Sequence, residues 1–120
     1  MAALGSMVGP ALEAAKILVE EKFSVTVINA RFVKPLDEKL LAHYAREADC
    51  FVTVEEGIVN GGFGSAVLEL FSTKGIKTLQ LLLGLPDIFI EHGQRQEILA
   101  KYNLTAAGIA EQIKKFSQEK

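Results

Sequence analysis

The apolar and polar positions of this 120-residue chain alternate between strand-like runs and helical stripes, and the sharpest change of period falls between Phe51 and Phe71. Phe51, Val52 and Val54 form a short β-forming run that ends at Glu55 and Glu56. After a glycine-rich turn, Phe63, Ala66, Val67, Leu70 and Phe71 recur at i, i+3, i+4, i+7 and i+8, one stripe of a helix. The pattern predicts a buried strand feeding a helix that starts near Gly62 and stops at Gly75.

The remaining segments follow the same alternation. Met7 to Lys22 reads as a helix with Leu12, Ala15, Ile17, Leu18 and Val19 on its apolar face, capped by Ser6 or by Gly9, the latter placing Pro10 first in the helix. Phe23 to Asn29 is rich in β-branched residues and predicts a strand buried on both sides, with Val25 and Val27 on one face and Ile28 on the other. In the loop that follows, Pro35 steers Lys34 away from helical geometry, and Asp37 is placed to cap a helix running to Glu47. Leu36 and Leu41 have the spacing of a hydrophobic staple, and Leu40, Leu41 and Tyr44 are expected to face inward while His43 lies on the surface. Ile76 to Leu83 predicts another buried strand, and the apolar loop Gly84 to Gly93 is expected to dock on this domain or a neighbour. A helix from Gln94 to Lys101 and a last one capped by Thr105, with Ile109, Ile113 and Phe116 inward, complete the chain. Strands alternating with helices imply a parallel sheet in a three-layer α/β/α arrangement.

Composition narrows the function classes. A chain of this length is one domain, able to bury roughly two-thirds of its unfolded surface without disulfides or metals. Its formal charge of -2 offers no basic footprint for nucleic acid. The single cysteine, Cys50, cannot form an internal disulfide bridge and reads as a buried structural thiol in a reducing compartment. With no apolar run of eighteen residues and no signal-peptide pattern, the expected partners exclude a membrane and the expected location is cytoplasmic.

Open parallel sheets place ligands beyond the carboxyl ends of their strands, so 29–34, 55–64 and 84–93 are expected to share one rim. Gly61, Gly62 and Gly64 open a helix and invite a phosphate, with Ser65 adding a hydroxyl. No lysine completes a P-loop, however, and Val67 stands where a dinucleotide fingerprint needs glycine or alanine. The competing reading, that these glycines permit positive φ and close packing, is favoured. Glu55 and Glu56 are adjacent on an extended segment and point to opposite faces, so they form no paired-carboxylate device, and one of them is expected at a rim or interface. Arg31 with Lys34 suits a phosphate or a carboxylate across an interface. His92, near Glu91 and Arg95, lacks a nucleophile or a second metal-spaced histidine and reads as a structural loop residue. These residues make a rim with no self-sufficient catalytic set.

The rim segments carry a family resemblance. Arg31 to Asp37 (RFVKPLD), Thr53 to Gly57 (TVEEG) and Gly61 to Leu70 (GGFGSAVLEL) resemble the C-terminal domain of the transketolase superfamily of thiamine diphosphate enzymes. Leu83 to Gly93 (LGLPDIFIEHG), with Asn103-Leu104 and Gly108-Ile109, is similar to the 1-deoxy-D-xylulose-5-phosphate synthases within it, and the resemblance spans residues 4–116. The alternatives are the matching domain of a transketolase or of a 2-oxo acid dehydrogenase β chain, against which Phe89 to Gly93 argues, and a regulatory nucleotide- or phosphate-binding module. The resemblance implies a five-stranded, mostly parallel sheet whose first strand has only Met1 to Leu4 to supply it here and is therefore shortened. It implies a fragment of a longer transferase that condenses pyruvate with glyceraldehyde 3-phosphate, releasing carbon dioxide, on the route to isoprenoids, thiamine and pyridoxal. Thiamine diphosphate and magnesium would lie between that enzyme's first two domains. This chain would hold no catalytic, cofactor or metal residue, would be inactive alone, and would have as partners the N-terminal and central domains of the same polypeptide and a second copy in a homodimer.

Overall fold

A computed structural model describes residues 1–31, 35–87 and 93–119. The expectations for Lys34, for residues 88–92 of the apolar loop and thus for His92 lie outside the described residues. The described elements are β1 (Ala2–Leu4), a single 3-10 turn (Gly5–Met7), α1 (Val8–Glu20), β2 (Ile28–Ala30), α2 (Glu38–Glu47), β3 (Cys50–Ile58), α3 (Phe63–Thr73), β4 (Leu79–Leu85), α4 (Arg95–Lys101) and α5 (Ala106–Gln118).

The sheet has the order β2-β1-β3-β4, and every pairing is parallel. Short as it is, β1 lies inside the sheet, with Ala2 opposite Ile28 of β2 and Thr53 of β3. The described residues hold four strands where the resemblance implied five. Because alternate residues of a strand face opposite ways, the sheet divides the core in two. Ala3, Val52, Val54 and Leu83 join Met7, Ala11, Leu18, Leu99 and Ile109 on the side of α1, α4 and α5. Ala2, Ile28 and Phe51 join Leu41, Phe63, Val67 and Phe71 on the side of α2 and α3. The three-layer expectation is met. Phe51 and Phe71 meet edge to face across the sheet–helix boundary, their centroids 5.0 Å apart, a geometry favoured by the ring quadrupoles.

The local signals for α2 and α5 act as expected. The Asp37 carboxylate accepts from the Leu40 N–H at 3.2 Å, and the Thr105 hydroxyl accepts from the Gly108 N–H at 3.1 Å; each satisfies one of a helix's orphan donors. Gly75, at φ +67°, follows the C-cap of α3, a conformation open to glycine without steric cost. His43 is exposed on α2.

Several expectations are corrected. In α1 the buried stripe is Met7, Ala11, Ala14 and Leu18, while Leu12 and Val19 remain 48% and 55% exposed. Leu18 and Ile17 lie inward as expected, but Ala11 and Ala14 are buried in place of Leu12 and Val19, because small side chains let α1 lie close against the sheet and α5. Neither Ser6 nor Gly9 caps α1; Met7 holds that position, and no side chain bonds there. Leu40 is 38% exposed, and Ala42 and Ala45 take the inward positions beside Leu41. Cys50 is half-buried. The predicted strand 23–29 forms regular structure only at Ile28–Ala30. Its alternation is as expected, with Val25 and Val27 toward one core and Ile28 in the other, but a ladder needs a neighbour, and β1 reaches back only to Ala2.

Candidate functional site

The parallel sheet brings the ends of β2, β3 and β4 to one rim, as the sequence predicts. β3 passes Glu55 and Glu56 and continues to Ile58, so the two carboxylates lie within the strand on opposite faces. Phe51, Thr53 and Glu55 share the face under α3, and Glu55 is only 3% exposed.

The buried Glu55 carboxylate meets the start of α3. Its Oε1 accepts from the Phe63 N–H at 2.9 Å and its Oε2 from the Gly64 N–H at 2.8 Å. Gly62 is the N-cap of α3 and has no side chain to cap it, so donors ordinarily satisfied locally are satisfied by a carboxylate eight and nine residues earlier. Negative charge at a helix N-terminus is also favoured by the macrodipole. An anion-binding turn is present, and its anion is the chain's own.

The glycines make room for that carboxylate. A Cβ at Gly62 would lie 2.1 Å from Glu55 Oε1 and 2.5 Å from the Ile58 carbonyl oxygen. At Gly64 it would lie 2.7 Å from Thr53 Oγ1 and 2.8 Å from Leu82 Cγ. Both glycines serve close approach, and neither has positive φ; Gly61 does, at +77°. The Ser65 hydroxyl is engaged within the turn, donating to the Val59 carbonyl at 2.7 Å and accepting from the Gly61 N–H at 3.1 Å. The turn is therefore tied at both ends to β3 and the residues after it.

Glu56, on the other face, pairs with Arg95 at the start of α4, both side chains part-exposed. Arg31 is exposed at the end of β2 and lines a cavity of about 280 Å³ with Asn29, Pro35, Asp37 and Leu41. Since β1 separates β2 from β3, Arg31 stands two strand positions, roughly 10 Å, from the Glu55 strand. The structure gathers Glu55, Gly61, Gly62, Gly64 and Ser65 into one hydrogen-bonded unit and leaves Arg31 outside it. The reach of Glu55 and the Glu56–Arg95 pair were missed by sequence reasoning. The available signal was an acidic residue at the end of the apolar run Phe51 to Val54, a few residues before the glycine turn.

Among the described residues, no group of three or more His, Cys, Asp or Glu side chains could hold a metal ion. No described helix is long and apolar enough to cross a membrane.

The family model for the transketolase C-terminal domain matches residues 1–109. The chain belongs to this family. Among its relatives, the 1-deoxy-D-xylulose-5-phosphate synthase of Desulforudis audaxviator is 53% identical over 104 residues, covering 86% of this chain and 16% of the relative. 1-Deoxy-D-xylulose-5-phosphate synthase 2 of Geobacter sulfurreducens is 47% identical over 116 residues, covering 96% of this chain and 18% of the relative. A chain of a split-gene transketolase in an inactive beta4 tetramer superposes with a TM-score of 0.87 at 39% identity, covering 95% of this chain and 37% of that one. This transketolase C-terminal domain thus spans 16% to 18% of the length of these synthases. Its α/β fold and parallel sheet are those the resemblance implied.

Proposed function

We propose that this transketolase C-terminal domain is one domain, residues 1–120, of a longer cytoplasmic 1-deoxy-D-xylulose-5-phosphate synthase, and that it contributes assembly contacts rather than chemistry. The longer transferase condenses pyruvate with glyceraldehyde 3-phosphate and releases carbon dioxide. Thiamine diphosphate supplies the carbanion chemistry of such a reaction and magnesium accompanies it, both held by the other domains. The described residues do not fit that cofactor: the helix N-terminus best shaped for a diphosphate already binds Glu55, and no metal-binding group is present among them. No catalytic step is therefore assigned to this chain.

The observation that carries this reading is the closure of the α3 N-terminus by Glu55. The same observation weighs against a regulatory phosphate site at the turn, because the amides such a ligand needs are committed. The exposed Arg31 and Arg95 and the part-exposed Glu56 suit contacts with the N-terminal and central domains of the same polypeptide and with a second copy in a homodimer. The split-gene transketolase chain whose fold matches this domain over 37% of its length forms an inactive beta4 tetramer, which is compatible with a role in assembly. The test is turnover of pyruvate and glyceraldehyde 3-phosphate by the 120-residue chain with thiamine diphosphate and magnesium. No carbon dioxide release is expected; release above the protein-free rate would overturn the proposal.

A further inference from the structure

The turn before α3 holds a reactive pair of residues that the Glu55 cap does not use. Val59 to Gly62 form a four-residue turn, closed by the Gly62 N–H donating to the Val59 carbonyl at 3.1 Å. Gly61 takes its third position at φ +77°, where glycine is the favoured residue. Asn60 thus stands directly before a glycine, is exposed, and has a carboxamide that makes no hydrogen bond among the described residues.

An asparagine carboxamide beside an uncrowded backbone nitrogen is an electrophile beside a nucleophile. Solvent base removes the Gly61 amide proton, the nitrogen bonds to Asn60 Cγ, and the Cγ–Nδ2 bond breaks as ammonia leaves with a proton. Water then opens the five-membered imide at one of its two carbonyls, giving aspartate or, by attack at the main-chain carbonyl, isoaspartate. Glycine favours the ring closure because it has no side chain to crowd the nitrogen. The space around Gly61 is also open, since a Cβ there would meet no atom within 4 Å. The chain's other two asparagines are exposed as well, but Asn29 precedes Ala30 and Asn103 precedes Leu104. The following residue, and not exposure, sets Asn60 apart.

The attacking nitrogen is tethered in the folded chain. The Gly61 N–H donates to Ser65 Oγ at 3.1 Å, and that hydroxyl donates to the Val59 carbonyl at 2.7 Å. A neutral hydroxyl is too weak a base to take an amide proton, so the bond keeps the proton on the nitrogen and fixes the peptide plane. Ring closure requires this bond to open.

We propose that Asn60 is a site of spontaneous deamidation by water, and that the Ser65 hydroxyl sets its rate by holding the Gly61 N–H. Either product adds a negative charge two residues before Gly62, the N-cap of the helix whose terminus Glu55 already occupies. Isoaspartate also inserts a main-chain carbon between residues 60 and 61, within a turn that Gly62 and Ser65 both tie to Val59. The proposal concerns this chain's own covalent state and is independent of the activity assigned to the longer polypeptide.

The experiment incubates the 120-residue chain, Ser65→Ala and Ser65→Thr in mildly alkaline buffer and follows each asparagine by mass-spectrometric peptide mapping, with the aspartate and isoaspartate products separated by chromatography. Asn60 is expected to convert ahead of Asn29 and Asn103. Ser65→Ala should speed its conversion by about two- to tenfold, the cost of opening one neutral hydrogen bond, and Ser65→Thr, which keeps a hydroxyl, should stay at the wild-type rate. Conversion at Asn60 no faster than at the other two asparagines, or equal rates in the wild-type chain and Ser65→Ala, would overturn the proposal, as would equal acceleration by both variants. A second measurement needs no variant: the folded wild-type chain should convert Asn60 more slowly than the same chain unfolded in urea, and equal rates would also overturn it.

Discussion

Replacing Glu55 with glutamine exchanges one carboxylate oxygen for an amide nitrogen and tests the closed helix terminus directly. The wild-type carboxylate gives one oxygen to the Phe63 N–H and the other to the Gly64 N–H, in buried surroundings. A glutamine amide keeps one acceptor and turns an NH₂ toward the second N–H, so one bond is lost and two donors face each other. Hydrogen bonds to charged groups contribute roughly 1.5–3 kcal/mol each, and a buried donor left unpaired costs about 1–3 kcal/mol. Glu55→Gln is therefore expected to destabilise by about 2–3 kcal/mol, and Glu55→Ala, which orphans both donors, by about 3–5 kcal/mol. Urea unfolding followed by circular dichroism measures the difference. In the glutamine variant, hydrogen exchange should accelerate most at Phe63 and Gly64. The control is Glu56→Gln, which breaks a part-exposed pair with Arg95 and should cost under about 1 kcal/mol. Equal costs for Glu55→Gln and Glu56→Gln would refute the reasoning.

Gly62→Ala places a methyl group 2.1 Å from Glu55 Oε1 and 2.5 Å from the Ile58 carbonyl oxygen, so it should displace the cap and lower stability by about 2–4 kcal/mol in the same unfolding assay. Thr53 Oγ1 is buried with no hydrogen-bond partner among the described residues. Thr53→Val should therefore raise the urea midpoint, by about 1 kcal/mol of stability; a fall of that size would show that the hydroxyl is satisfied. Burial lowers the Met1 ammonium from its ordinary 8.0 to about 6. Between these values the unfolded chain binds more protons than the folded one, so stability should rise as pH goes from 6 to 8, by about 2–3 kcal/mol at most. Below pH 6 the penalty is fully present and above pH 8 it is gone; an acetylated N-terminus should abolish this rise.

How much the sequence revealed depended on how far each interaction reaches. Asp37 and Thr105 cap helices three residues ahead, and Leu36 lies in the same core cluster as Leu41, so local spacing was enough to find them. Glu55 caps α3 from across a turn, and only the fold shows that the strand aims its side chain at that helix. The α1 face was misplaced because Leu12 and Val19 are more apolar than Ala11 and Ala14, whereas close packing selected the smaller pair. The strand at 23–29 has the right alternation, but a ladder's length is set by its neighbour, here the short β1. At the rim, the separate positions of Arg31 and of the glycine turn follow from the strand order, which local patterns do not encode.

The measurement that tests the central claim most directly is an NMR titration of the 120-residue chain with inorganic pyrophosphate, following the Phe63 and Gly64 amides. With both N–H groups held by Glu55, these amides should remain unmoved at millimolar pyrophosphate. Saturable shifts centred on them would contradict the account, showing that an external anion displaces Glu55 and that the turn is a binding site.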